Sequence, residues 1–146
     1  MSKKFYSGRP AKIKRSYTDQ LFSEFVRERA NWQCQNPDCE KKFDKKIPEQ
    51  KKKLHCCHLG YGRAYIPTRW NEYNCLALCS GCHLWVDQHP MRAIKILSSH
   101  FSFEEITYVR DQYSNKRPRT SKELEKKERE RIKKLLNELK EGSNDG

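Results

Sequence analysis

Apolar side chains recur at helical spacing near the start and the end of this chain, and two short apolar runs lie between. The first helical pattern predicts a helix over Tyr17 to Trp32, with Thr18 or Asp19 as its N-cap. Residues 54–59 and 75–78 are short and apolar enough to be strands, and a loop containing Gly60, Gly62 and Pro67 separates them. A helix over residues 80–88 is predicted to follow the second strand directly.

The second half of the chain predicts further helices. One covers residues 91–99, and Ser102 with Glu105 forms a capping box ahead of the next. Thr120 with Glu123 forms another box, which opens a charged helix ending near Lys140. A thin apolar stripe runs along it, made by Leu124, Ile132, Leu135, Leu136 and Leu139. The stripe is compatible with a solvated helix or with pairing to a second copy, which would give a homodimer.

Composition divides the chain into three segments. Only 35% of its 146 residues are hydrophobic and 34% are charged, so the core must be small. We expect a basic arm over 1–16, a folded domain over 17–113, and a basic linker with a charged helix over 114–146. The chain has seven cysteines but neither a signal-like N-terminus nor a long apolar run, which favours reduced thiols in the cytoplasm and no membrane partner.

The net charge of +12 is concentrated in blocks. Residues 1–16 contain no acidic residue but six cations, Lys3, Lys4, Arg9, Lys12, Lys14 and Arg15. Residues 41–53 contain seven lysines against Asp44 and Glu49. Such blocks favour a polyanionic partner, because each neutralised phosphate releases counterions. The alternative is that the lysine runs are solvated loops that keep the protein soluble.

Two cysteine pairs have the spacing of zinc knuckles. Cys34 and Cys39 flank an Asn-Pro-Asp turn, and Cys79 and Cys82 flank Ser-Gly. Tetrahedral zinc takes thiolates from two such turns, so we predict a structural Zn²⁺ site. The alternative is two unrelated buried pairs. Of the remaining cysteines, Cys56 and Cys75 are interpreted as small buried hydrophobes.

Several short motifs resemble the HNH endonucleases, most closely the phage NinG/Rap recombination endonucleases. They are His55-Cys56-Cys57-His58, Gly62-Arg63, Arg69-Trp70-Asn71-Glu72-Tyr73-Asn74 and Leu78-Cys79-Ser80-Gly81-Cys82-His83. The resemblance covers roughly residues 32–90. It implies an α+β fold with a small ββα-metal (His-Me finger) core, stapled by the four-cysteine zinc site and flanked by helices and basic arms. It also implies hydrolysis of DNA, branched DNA included, in phage recombination, and hence in the host cytoplasm.

The resemblance also implies roles for individual residues. His58 is the general base, Asn74 orients it by pinning the loop, and His83 binds a catalytic Mg²⁺ or Mn²⁺ ion. These roles suit the chemistry, because a histidine can take a proton from water at neutral pH and a divalent ion offsets charge on the phosphate. For this mechanism the His58 and His83 side chains must lie on the same side of the molecule.

The other ligands of that ion are less defined. Cys57 stands where the family usually has a metal ligand, and a thiolate suits Mg²⁺ poorly. The ion is therefore expected to use His83 and Asp87 with water, with Cys57 as a weaker candidate ligand, or to recruit His55. Arg63 and Arg69 are candidates for phosphate contacts, and so are Lys12, Lys14 and Arg15 of the N-terminal arm.

Other interpretations remain open at the level of sequence. His58 alone is compatible with a structural histidine or a zinc ligand, and Asn71 competes with Asn74 as the motif asparagine. The whole chain is compatible with a zinc-ribbon DNA-binding regulator without catalysis, with an RNA-directed nuclease, or with a homing-type HNH endonuclease.

Overall fold

The computed structural model describes residues 14–39, 41–114 and 122–144. Within these residues the protein is a small α+β structure with seven helices and a two-stranded antiparallel sheet. The elements in chain order are α1 (Tyr17–Arg29), α2 (Pro48–Lys51), β1 (Leu54–His58), α3 (Ile66–Arg69), β2 (Cys75–Cys79), α4 (Ser80–Gln88), α5 (Pro90–His100), α6 (Phe103–Ser114) and α7 (Lys122–Asn144). Both strands and the helix that follows them lie where the sequence predicts them.

The sheet divides the central residues into two sets. The register pairs Leu54 with Cys79 and His58 with Cys75. Since side chains alternate along a strand, residues 54, 56 and 58 lie on one face of the sheet and residues 55 and 57 on the other. The first face meets α1, where the His58 ring lies 6.3 Å from the ring of Phe22. The second face meets α4, where His55 contacts His83.

Helix α1 is held at both ends by specific backbone contacts. Its N-cap is Ser16, which precedes both of the predicted caps. The Ser16 hydroxyl accepts a hydrogen bond from the Asp19 backbone N–H at 3.2 Å, and the Asp19 carboxylate accepts one from the Ser16 N–H at 2.9 Å. The helix ends at Arg29, earlier than predicted, because Asn31 and Trp32 both adopt positive φ, 55° and 56°. This left-handed turn directs the chain into the first cysteine knuckle.

The apolar stripe of the C-terminal helix packs within the same molecule. Helix α7 lies against α1, and Ile132 and Leu136 are buried in the core. Arg131 on the same helix forms an ion pair with Glu72 at 3.1 Å and donates to the Trp70 carbonyl oxygen at 2.7 Å. Ile132 and Leu136 of the predicted stripe are therefore covered within the molecule, whereas Leu124, Leu135 and Leu139 are half-buried.

Two further predictions concern the helices after the sheet. Helix α5 covers one residue more at each end than predicted. The capping box before α6 is confirmed, since Ser102 N–H donates to the Glu105 carboxylate at 2.9 Å and Glu105 N–H donates to the Ser102 hydroxyl at 3.1 Å. Thr120 and most of the N-terminal arm lie outside the described residues.

No helix in the described part of the chain combines the length and apolar character needed to cross a bilayer.

Candidate functional site

The four knuckle cysteines meet at one point. The sulfur atoms of Cys34, Cys39, Cys79 and Cys82 all lie within 4.8 Å of one another. A zinc ion bound tetrahedrally at about 2.3 Å would place its sulfurs about 3.8 Å apart. The Cys39 and Cys79 sulfurs are 3.8 Å apart, so the cluster has the dimensions of a zinc site. The cluster could hold a zinc-like ion, as the sequence predicts.

Local turns aim these sulfurs at one another. In the first knuckle, Asn36 accepts from Asp38 N–H through its side-chain oxygen at 3.1 Å and from Cys39 N–H through its carbonyl at 3.0 Å. Cys34 N–H donates to the Lys41 carbonyl at 2.7 Å, which closes the turn. In the second knuckle, Cys79 is the N-cap of α4. The positive end of that helix favours a thiolate there.

The sulfurs also accept hydrogen bonds from nitrogen donors. Cys79 N–H donates to the Cys34 sulfur at 3.3 Å, Cys82 N–H to the Cys79 sulfur at 3.4 Å, and the Asn36 amide to the Cys82 sulfur at 3.3 Å. Burial raises the pKa of the Cys34 thiol. Burial also acts to raise the pKa of Cys79, but hydrogen bonds from Cys82 and the neighbouring thiols lower it overall. Four thiolates at this point require a cation to compensate their charge.

Asn74 fixes the loop between the two strands. Its side chain is completely buried. The side-chain oxygen accepts a hydrogen bond from Tyr61 N–H at 2.7 Å, and the side-chain NH₂ group donates to the carbonyl oxygens of Tyr61 at 2.9 Å and Thr68 at 3.3 Å. A Cβ atom at Gly60 would clash with the Asn74 side-chain oxygen, so the loop needs glycine there. Asn71 instead accepts from Tyr73 N–H at 2.9 Å in a local turn. Of the two asparagines, Asn74 has the contacts of a residue that pins the loop.

His58 does not lie beside His83. One nitrogen of its ring, Nε2, is 2.9 Å from the Arg69 carbonyl oxygen, and the ring packs on the α1 side of the sheet. Burial lowers the pKa of His58 to about 4. His83 approaches the sheet from the α4 side and contacts His55 there. Because side chains alternate along β1, the histidine against His83 is His55 and not the His58 that the resemblance names.

The histidine that meets His83 is His55. Their Nδ1 atoms are 3.0 Å apart, and their rings are nearly perpendicular. The other nitrogen of His83, Nε2, lies 4.0 Å from the Asp87 carboxylate one helical turn later. About a third of the His83 side chain and two thirds of that of Asp87 are exposed. Burial and the neighbouring His83 lower the pKa of His55. The three residues form an accessible row where β1 meets α4.

Cys57 and Arg69, a candidate ligand of the catalytic ion and a candidate phosphate contact, are both buried. Cys57 is 1% exposed, and burial raises the pKa of its thiol well above that of an ordinary cysteine. A buried thiol is a poor ligand for Mg²⁺ or Mn²⁺, which bind water and oxygen donors. Arg69 is buried, and its Nε donates to the Asp19 carboxylate at 2.9 Å. Its charge is compensated inside the protein and is not available to a phosphate.

The other predicted phosphate contacts are only partly described. Arg63 is half-buried in the loop that Asn74 pins, and Lys14 and Arg15 are exposed just before α1. Lys12 lies outside the described residues. The lysines of residues 41–53 are exposed, and the last three, Lys51 to Lys53, lead directly into β1 and towards His55. This segment supplies positive charge directly before β1 in the chain.

Period-two alternation is the signal that could have identified His55 as the partner of His83. Residues 55 and 58 are three positions apart on a strand, so they must face opposite sides of the sheet. The role of Asp19 beyond capping has no comparable signal, because its partners Arg69 and Trp70 lie about fifty positions away.

Comparison of the chain with protein-family models, with curated proteins and with solved structures finds no match.

Proposed function

We propose that this protein is a metal-dependent endonuclease of the HNH type that hydrolyses phosphodiester bonds in DNA. The observation that supports it best is the row of His55, His83 and Asp87, exposed where a β-hairpin meets a helix beside the four-cysteine cluster. That hairpin and helix follow the strand, loop, strand and helix order that the HNH resemblance implies.

The residues of the row fit a divalent cation. If Nδ1 of His83 donates its hydrogen to Nδ1 of His55, then Nε2 of His83 keeps its lone pair and faces the Asp87 carboxylate. A second histidine that fixes the tautomer in this way supports the ligating imidazole from its far side. One imidazole and one carboxylate suit Mn²⁺ better than Mg²⁺, which prefers oxygen ligands alone. When bound, the ion would offset the charge that develops on the scissile phosphate.

The rest of the chain would hold this row and its substrate in place. The four-cysteine cluster fixes the start of α4, and therefore the position of His83 one residue after Cys82. Asn74 fixes the loop that leads from β1 to β2. The exposed lysines before β1 would contact the phosphates on either side of the cleaved bond, which adds affinity without sequence preference.

His58 has no proton-transfer role in this proposal. The HNH resemblance assigns it that role, but its imidazole lies on the other face of the sheet with Nε2 against the Arg69 carbonyl. Its replacement by alanine should weaken folding more than cleavage. This separates the proposal from the mechanism that the resemblance implies, in which the same replacement abolishes cleavage and leaves binding intact.

The test is nicking of supercoiled plasmid by the zinc-loaded protein with added Mn²⁺, Mg²⁺ or EDTA. We expect His83→Ala and Asp87→Asn to lose at least about a hundredfold in rate, His55→Gln to lose about tenfold, and EDTA to stop cleavage. His89→Ala is the matched control, since the exposed His89 lies at the end of α4 and its Nδ1 contacts the Trp85 carbonyl. Cleavage by His83→Ala at the wild-type rate would refute the proposal.

The resemblance extends the proposal to branched DNA in phage recombination. Linear, nicked and four-way DNA of the same sequence, cleaved in parallel, test this extension. Faster cleavage of the four-way substrate supports it, and equal cleavage of all three removes it while leaving the nuclease proposal intact.

A zinc-stapled DNA-binding regulator without catalysis is the second candidate. It is favoured by the lowered pKa of His58, about 4, which makes this imidazole a weak base. It predicts DNA binding that weakens steeply with salt, and no metal-dependent nicking under any condition. The plasmid assay therefore separates the two candidates directly.

A further inference from the structure

A second group of metal-ligating side chains lies on the α1 face of the sheet. The sulfurs of Cys56 and Cys75 and one imidazole nitrogen of His58 all lie within 4.8 Å of one another. Cys56 and His58 are neighbours on one face of β1, and Cys75 is directly opposite His58 on β2. None of the three belongs to the four-cysteine cluster or to the row of His55, His83 and Asp87.

The His58 ring has the hydrogen-bond support that is typical of a metal-bound histidine. Its Nε2 lies 2.9 Å from the Arg69 carbonyl oxygen, which can only accept, so Nε2 carries the hydrogen and Nδ1 keeps its lone pair. A backbone carbonyl on the far nitrogen is a frequent support of metal-bound histidines.

The charges of the group also suit a soft dication. Two thiolates and one neutral imidazole with a divalent ion have no net charge, which a buried site tolerates. The group contains no carboxylate, the ligand that a hard ion such as Mg²⁺ would need.

We propose that Cys56, His58 and Cys75 bind a second thiophilic cation of the Zn²⁺ class. Three protein ligands leave the fourth tetrahedral position to a small donor from solvent, because Cys56 and His58 are only partly covered. The ion would join β1 to β2 and, through the His58 contact with Arg69, to the end of α3. The inference does not depend on nuclease activity.

The test is metal content and spectroscopy of the full chain, purified under reducing conditions and loaded with Cd²⁺. We expect one ¹¹³Cd resonance typical of four sulfurs and a second typical of mixed sulfur and nitrogen ligands. An ion in the row of His55, His83 and Asp87 would have no sulfur ligand and would resonate apart from both. Cys56→Ala with Cys75→Ala should remove one ion and only the mixed resonance. His58→Gln should weaken binding of the second ion at least about tenfold.

Cys57→Ala is the matched control, since Cys57 is a buried cysteine of the same strand that faces the other side. It should retain both ions. Persistence of the four-sulfur resonance in each variant shows that the fold survives. Absence of the mixed sulfur and nitrogen resonance in the wild-type chain, or its persistence in the double alanine variant, would overturn the proposal. So would a thiol titration that finds Cys56 and Cys75 joined as a disulfide under the same reducing conditions.

Discussion

Asp19 connects the first helix to the loop between the strands, and its replacement is the sharpest test of the fold. Its carboxylate is 6% exposed and accepts from Arg69 Nε, from Trp70 Nε1 and from Ser16 N–H, each at 2.9 Å. Burial alone would raise the pKa of Asp19. The hydrogen bond from Arg69 and those from Ser16 and Trp70 outweigh it and lower the pKa to about 2.

The magnitude follows from that lowered pKa. A fall from the ordinary 3.8 to about 2 corresponds to about 2.4 kcal/mol of stability held by the ionised form. A carboxyl with a lowered folded pKa contributes fully above its unfolded pKa, and the contribution is lost as pH falls from 3.8 towards 2. Asp19→Asn also leaves the buried Arg69 charge without its partner, so at neutral pH we expect a loss of about 3–5 kcal/mol.

The assay is urea unfolding of the zinc-saturated protein at pH 5, 7 and 8. Both Asp19 pKa values lie below this range, so the difference in unfolding free energy between wild type and Asp19→Asn should be the same at all three. Asp111→Asn is the matched control: its carboxylate is 70% exposed, 3.9 Å from Arg110, and should cost less than about 0.5 kcal/mol. An Asp19→Asn cost no larger than the control, or a cost that changes between pH 5 and 8, would refute the reasoning.

Three further predictions concern the loop, the C-terminal helix and the zinc cluster. Gly60→Ala should lower the unfolding free energy by about 1–3 kcal/mol, because the added Cβ clashes with the Asn74 side chain. In the same urea titration, Gly62→Ala should change it by less than about 0.5 kcal/mol, because a Cβ there meets no atom within 4 Å. Ile132→Ala should lower the unfolding free energy by about 2–4 kcal/mol, because this side chain is fully buried. Ile94 is 56% exposed, so Ile94→Ala should lower it by less than about 1 kcal/mol. Equal losses in the two variants would mean that α7 does not pack on α1. A strong zinc chelator should lower the thermal midpoint by more than about 10 °C, followed by circular dichroism, and added Zn²⁺ should restore it.

The zinc cluster and the hairpin could be predicted from sequence because their signals are local. Each knuckle needs only a turn of a few residues between two cysteines, and each strand is a run of apolar side chains bounded by turn residues. The start of α4 follows from Cys79 as its cap. These features do not depend on how distant segments meet.

The face on which His58 lies could be predicted only in part. Alternation along β1 separates His55 from His58, but which side α4 would occupy depends on packing across the whole sheet. The sequence predicts Thr18 or Asp19 as the N-cap of α1, but the cap is Ser16. Asp19 instead completes the capping box with Ser16 and also binds the distant Arg69. The stripe on α7 is recognisable, but sequence does not tell that α1 rather than a second copy covers it.

The packing of α7 on α1 has a consequence for how the protein matures on the ribosome. Synthesis delivers the zinc knuckles and the hairpin long before Ile132 and Leu136, which complete the core against the first helix. Until translation has passed Leu136, the part of α1 that α7 covers stays exposed, although the sheet can already cover the rest of its apolar side. A chaperone that holds exposed apolar helices would be expected to bind during that interval and to leave once the last helix closes over it.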